Sequence, residues 1–168
     1  MAIEYSVRFL LSDEMEDLTF KVQEEHWGRL QDVLNNGLEI TQPRKFFAFR
    51  TGDGRAVAIS LRDVLAMRFL SYDTDLPSDP TISNGPILIR LRGRRQPLEV
   101  VSSALDKLAD LVMFLEINPD DVPYPALRDK HDQVLRLSTS QIVWITAPSH
   151  LVDEGYRIVA IEDGLLDD

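Results

Sequence analysis

Lys45 to Leu70 reads KFFAFRTGDGRAVAISLRDVLAMRFL, and the fold class turns on how its three apolar runs pair. Phe47 and Phe49 share one face of an extended segment and Phe46 and Ala48 the other, because side chains alternate across a strand. Thr51-Gly52-Asp53-Gly54 is a tight turn in which glycine takes the positive φ that a hairpin requires. Val57, Ile59 and Leu61 then alternate with Ala56, Ala58 and Ser60. The small alanines predict that this second face is covered as well, for instance by a helix. After a polar step from Ser60 to Asp63, Leu65, Met67 and Phe69 face one way, and Ala66 and Arg68 the other. A slip of one residue would reverse every face, so turn and pattern must agree, and they do. The stretch predicts three successive antiparallel strands at the centre of a sheet.

Upstream, Ile3, Tyr5, Val7, Phe9 and Leu11 alternate with mostly polar residues, and Leu18, Phe20 and Val22 resume the pattern. Residues 3 to 22 therefore predict a hairpin. Its turn holds Asp13, Glu14, Glu16 and Asp17 but no glycine for the sharp bend of a cation loop, so it reads as a solvated turn. From Gln23 to Asn35 the period becomes helical, with Trp27, Leu30, Val33 and Leu34 on one stripe, and Asn36-Gly37 is a stop signal. His26, alone on this helix, reads as a packing or surface residue. Leu38 to Arg44 is a connector.

Downstream, SYDTDLPSDPTISNGP (71–86) predicts a long irregular loop, either plain surface or a binding or subunit-exchanging arm. Ile87–Leu91 and Leu98–Val101 predict a hairpin. Ser102 or Ser103 caps the next helix, with Asp106 at capping-box spacing. Leu105, Leu108, Leu111, Val112 and Leu115 make its wide apolar stripe. Val134–Leu137, Ile142–Ile145 and Tyr156–Ile161 read as strands, and the acidic tail as frayed.

VAISLRDVLAMRF (57–69) can be laid on LRLSTSQIVWITA (135–147), with Ser60 on Ser138 and a polar step of equal length in each. The same unit, strand, short step, strand, is used twice. The step is too short for a helix, so each unit predicts a sharp corner of the kind that curls a small sheet. The expected fold is α+β, a predominantly antiparallel sheet curling toward a small barrel, with two amphipathic helices and an extra C-terminal β unit. Residues 1–116 form the main domain, 117–132 a Pro/Asp-rich linker or wrapping segment, and 133–168 the C-terminal unit packed on it. A helix followed by about five strands in meander order resembles Sm-like barrels in outline, through topology and not through that family's Asp and Asn signatures.

The 168 residues suffice for a full core without staples, and the absence of cysteine excludes disulfides, thiolate metal sites and a cysteine nucleophile. A net charge of −10 repels nucleic acid and anionic membranes unless a basic patch overrides it. No signal or membrane-spanning pattern is present, which points to the cytoplasm. The one basic concentration is Arg90, Arg92, Arg94 and Arg95, four arginines around the turn at Gly93. Arginine forks suit carboxylate, phosphate or base. Their candidate roles are an anion or partner contact, nucleic-acid binding, or pairing with the chain's own acids.

Ser149, His150 and Asp153 contain the residue types of a hydrolytic triad but are neighbours in one segment, and triads are made by geometry. Asp129, His131 and Asp132 are potential metal ligands whose side chains diverge. His150 and His131 are the only handles for an enzyme reading. The expectation is a non-enzymatic binding or assembly module acting through protein–protein contacts, self-associating, without metal or cofactor. The alternative is RNA or DNA binding through the arginine hairpin 90–95.

Overall fold

A computed structural model describes residues 2–12, 14–35, 45–74, 82–101, 104–129 and 131–166. Strands β1 (Ala2–Leu11) and β2 (Leu18–Val22) form the N-terminal hairpin, and helix α1 (Glu24–Asn35) follows. The quoted stretch holds β3 (Phe46–Arg50), β4 (Arg55–Ser60), a 3-10 turn at Leu61–Asp63 and β5 (Val64–Thr74). Next come β6 (Ile87–Leu91), β7 (Leu98–Val101), α2 (Leu105–Ile117), β8 (Ala126–Asp129) and β9 (Val134–Arg136). A second 3-10 turn at Thr139–Gln141, β10 (Ile142–Pro148) and α3 (Ser149–Glu162) complete the chain. The stop signal at Asn36-Gly37, the connector 38–44, the caps Ser102 and Ser103 and residues 75–81 of the predicted loop lie outside the described residues.

The result is an α+β fold with two antiparallel sheets, of order β2-β1-β5 and β3-β4-β10-β6-β7-β8-β9. This corrects the reading of 45–70 as the centre of one sheet. β3 and β4 pair as expected, Phe47 opposite Ile59, but β3 is an edge strand, and the 3-10 turn carries β5 into the smaller sheet. No closed barrel forms among the described residues. The step at 61–63 turns the chain between sheets, so the apolar faces of both sheets meet across it instead of lying side by side.

The helix count is also corrected. Three α-helices are present among the described residues, and the predicted last strand at 156–161 is part of α3. Leu151, Val152, Gly155, Tyr156 and Val159 recur at helical spacing; reading 156–161 alone shows only alternation. The segment 117–132 holds the end of α2, a turn and β8.

The seven-stranded sheet lies between two cores. One face packs Phe47, Phe49, Val57 and Ile59 against Val7 and Phe9 of the small sheet and Leu30 of α1. The aromatic rings of Phe9, Phe20 and Phe49 touch in pairs with centroids 5.5–6.0 Å apart. The other face packs Ala48, Ala56 and Ala58 against Leu108, Leu111 and Leu115 of α2, so the alanines are covered by a helix as expected. α3 crosses α2 at Gly155, where an added Cβ would collide with the Leu105 carbonyl oxygen.

The chain is built twice. Each half runs strand, strand, helix, strand, strand, 3-10 turn, strand. The first hairpins share a register displaced by 80 positions: Phe9 opposite Leu18 becomes Ile89 opposite Leu98. From β3 onward the displacement is 78. Leu61 N–H donates to Lys45 O at 2.8 Å, and Thr139 N–H to Pro123 O at 3.1 Å. The hairpin turns carry positive φ at Gly54 (78°) and Asp132 (60°). Both 3-10 turns are entered from extended serines, Ser60 (φ −67°, ψ 115°) and Ser138 (φ −80°, ψ 113°). The strand after each contains a one-residue bulge, at Leu65 opposite β1 and at Val143 opposite β6. The echo at 57–69 and 135–147 is therefore the visible part of a longer structural repetition, and α3 follows the second copy.

Candidate functional site

The arginine hairpin lies at the meeting of the two halves. Gly93 takes φ 75° at its tip. Arg92 leaves the end of β6 and forks onto Asp63, with Nη2 at 2.8 and 2.6 Å from the two carboxylate oxygens and Nε at 3.1 Å from the first. Its Nη1 donates to Ser140 O at 2.8 Å, and its backbone N–H to Gln141 O at 2.8 Å. One residue thus ties the 3-10 turn of the first half to that of the second. Asp63 is only 3% exposed, so removing this bidentate partner would leave a buried carboxylate uncompensated.

Arg90, 4% exposed, donates through Nε to Glu14 Oε1 at 2.7 Å, and Trp144 Nε1 reaches the same oxygen at 3.0 Å. Glu14, one of the acidic turn residues, is therefore partly enclosed instead of fully solvated. Arg94 and Arg95 are exposed, and neither side chain has a partner among the described residues. The four arginines are near one another in sequence but divide into two inward and two outward.

Beside Arg92 opens a cavity of about 370 Å³ between the two 3-10 turns, lined by Lys45, Arg62, Ser60, Thr139 and Asp120 among others. Lys45 pairs with Asp120 across it. Thr139 Oγ1 donates to Pro119 O at 3.0 Å, fastening the segment after α2 to the wall. Arg62 has no described partner. Two of the three cations that line the cavity are thus ion-paired.

The remaining sequence candidates do not converge. Asp153 pairs with Arg50 at 2.6 Å instead of facing His150. His150 is exposed, and Ser149 Oγ is buried without a partner. Asp129 caps its own turn, accepting from the N–H groups of His131 and Gln133. Among the described residues no three His, Asp or Glu side chains are placed to hold a metal ion. No described helix is long and apolar enough to cross a membrane.

Two features escaped the sequence reading. His26 is partly enclosed near Arg29, Arg50 and Glu116, and burial, then the Arg29 charge, push its pKa below the usual histidine value. Glu116 also receives Arg29 Nη2 at 2.9 Å. These residues come from α1, β3 and α2, so no local pattern links them. The second feature is an open strand edge. β5 runs eleven residues and pairs only with β1, leaving its other side without a described strand. The edge of β3, by contrast, is covered in part by Arg29, whose Nη2 donates to Ala48 O at 2.9 Å. Compared with protein-family models, curated proteins and solved structures, the chain matches none.

Proposed function

We propose that this chain is a non-enzymatic binding or assembly module that acts through protein–protein contacts and associates with itself. The observation that carries the reading is β5, eleven residues of strand with one edge that no described strand meets. Open N–H and C=O groups in a row are a template for another strand. Natural edges of this length are commonly shortened, bulged or covered; here the single bulge at Leu65 lies at the start and leaves Ala66 to Asp73 regular. Leu65 and Tyr72 are exposed along it. Light scattering at micromolar concentration tests the proposal: a mass above that of one chain is expected, and a strict monomer that captures no partner would remove its support.

The curl toward a small barrel belongs to the same proposal. In the second half β10, β6, β7, β8 and β9 are consecutive neighbours, and in the first half β5-β1-β2 meets β3-β4 through the Val22–Thr51 bridge. Such a curl leaves the last two strands of each half as its edges, β4 and β5 in the first and β9 and β10 in the second. A cytoplasmic setting fits a chain without cysteine.

Nucleic-acid binding is the second reading. Arg94 and Arg95 favour it, exposed in the turn that follows Arg92. It predicts salt-dependent RNA or DNA binding that weakens on Arg94→Ala and Arg95→Ala; no binding at low salt would sink it.

A further inference from the structure

We propose that copies of this chain join through β5 of one and β9 of the next, repeating between molecules the β4–β10 pairing already made within each. The inference rests on the self-association reading and gives it an interface, a register and a partner.

Within the chain, β4 of the first half pairs antiparallel with β10 of the second, from Ile59 opposite Trp144 to Arg55 opposite Pro148. Ser149 N–H continues the ladder to Gly54 O at 2.8 Å. Along an antiparallel strand, successive residues direct their backbone groups to opposite sides. Arg55 and Leu61 serve β3, through Thr51 N–H to Arg55 O and Leu61 N–H to Lys45 O. Gly54, Ala56 and Ala58 therefore serve β10.

Their equivalents 78 positions on are Asp132, Val134 and Arg136. The alternate residues Gln133 and Leu137 are already used toward β8, through Asp129 N–H to Gln133 O at 2.9 Å and Leu137 N–H to Pro125 O at 3.1 Å. Val134 and Arg136 thus turn their backbone groups to the outer edge of β9, which no described strand meets. Val134 is 63% exposed. β9 is three residues long and β4 six, as expected if the missing ladder is what extends the strand.

β5, the equivalent of β10, has the complementary vacancy. Each chain thus ends in two half-junctions that fit each other but belong to one molecule, and a second copy supplies the missing half of both. Carrying the β4–β10 register across places Met67 opposite Arg136, Arg68 opposite Leu135 and Phe69 opposite Val134. The contact is head-to-tail, so it closes into a ring or extends as a filament according to the rotation at each junction.

Two kinds of variant test this in the full chain. Val134→Pro removes an N–H that the chain itself does not use, and proline is tolerated on an edge. It should raise the concentration for half assembly by about tenfold or more, while Val134→Ala, which keeps the N–H, should assemble like the parent in light scattering. Because the chain has no cysteine, Arg68→Cys and Leu135→Cys can be made as separate proteins, mixed and oxidised. A covalent pair between the two is expected, with neither variant cross-linking appreciably to itself. If Val134→Pro fails to fold by circular dichroism, the cysteine mixture decides. Assembly unaffected by a folded Val134→Pro, or Arg68→Cys cross-linking to itself instead of to Leu135→Cys, overturns the β5–β9 junction and leaves self-association standing. A parent protein that is monomeric throughout overturns both.

Discussion

The two 3-10 corners share a backbone and differ in chemistry. Each receives a hydrogen bond from the residue after its neighbouring strand, Ser12 N–H to Asp63 O at 2.9 Å in the first half and Arg92 N–H to Gln141 O at 2.8 Å in the second. The side chains at these matched positions have diverged. The first corner buries an acid, and the second exposes Gln141. The cation that neutralises the acid is Arg92, the second half's counterpart of Ser12. Repetition of backbone geometry needs only the same local hydrogen bonds. Divergence of side chains lets one half supply what the other lacks, and this couples them.

Breaking that coupling should have the largest effect. Arg92→Leu leaves Asp63 buried without its partner and should cost about 3 kcal/mol or more, read as a lowered urea midpoint. The double variant Arg92→Leu/Asp63→Asn should recover a good part of the loss, since the first corner then carries an uncharged amide like the second. No recovery would mean that the pair does not link the corners.

The next test concerns what the halves do not share. Among the described residues α3 follows the second half alone, and it approaches α2 at Gly155. Gly155→Ala sets a Cβ against the Leu105 backbone and within 2.8 Å of Ala109 Cβ, and should cost about 1–3 kcal/mol by overpacking. Unchanged thermal stability would mean that the two helices separate freely.

A smaller effect compares the hairpin turns. Gly54→Asp converts the first turn to the residue type of the second and should cost about 1 kcal/mol, because an L side chain is disfavoured at positive φ. Asp132→Gly should change stability by less than about 0.5 kcal/mol, since aspartate tolerates this conformation better than most residues and glycine adds unfolded-state entropy. Thermal unfolding of both variants beside the parent measures the asymmetry.

The smallest concerns His26, enclosed near Arg29, Arg50, Glu25 and Glu116. Its folded pKa is lowered, so near neutral pH both folded and unfolded forms are uncharged there and nothing is lost. As pH falls below the unfolded value of about 6.5, the unfolded state takes the proton more readily and stability declines. His26→Gln should remove that part of the slope between pH 7 and 5, measured by denaturant titration at each pH.

Much of the repetition is legible in the sequence. The polar steps at Ser60–Asp63 and Ser138–Gln141 align because each separates two apolar runs, and both become 3-10 turns. The first hairpins of the two halves cannot be aligned by the same means. Their displacement is 80 positions instead of 78, and Phe9 and Phe20 correspond to Ile89 and Val100, which share apolarity and nothing more specific. The arginines stand out by charge, but charge alone does not distinguish Arg90, enclosed with Glu14 and Trp144, from Arg95 in solvent. Those partners lie 76 residues before Arg90 and 54 after it in the chain.

The sequence by itself determined the strands of the first half, β6, β7, β9 and β10 of the second, the turns at Gly54 and Gly93, the first two helices and the position of each corner; β8 and the turn at Asp132 fell in the stretch read as a linker. These depend on alternation, glycine and helical spacing within a few residues. Tertiary structure decided that β5 leaves the sheet of β3 and β4 and that β10 takes the place beside β4. Backbone groups on a strand edge accept any strand of suitable register, so sheet membership follows from which distant faces must be buried together. The same physics leaves β5 and β9 as edges that no described strand of the chain meets.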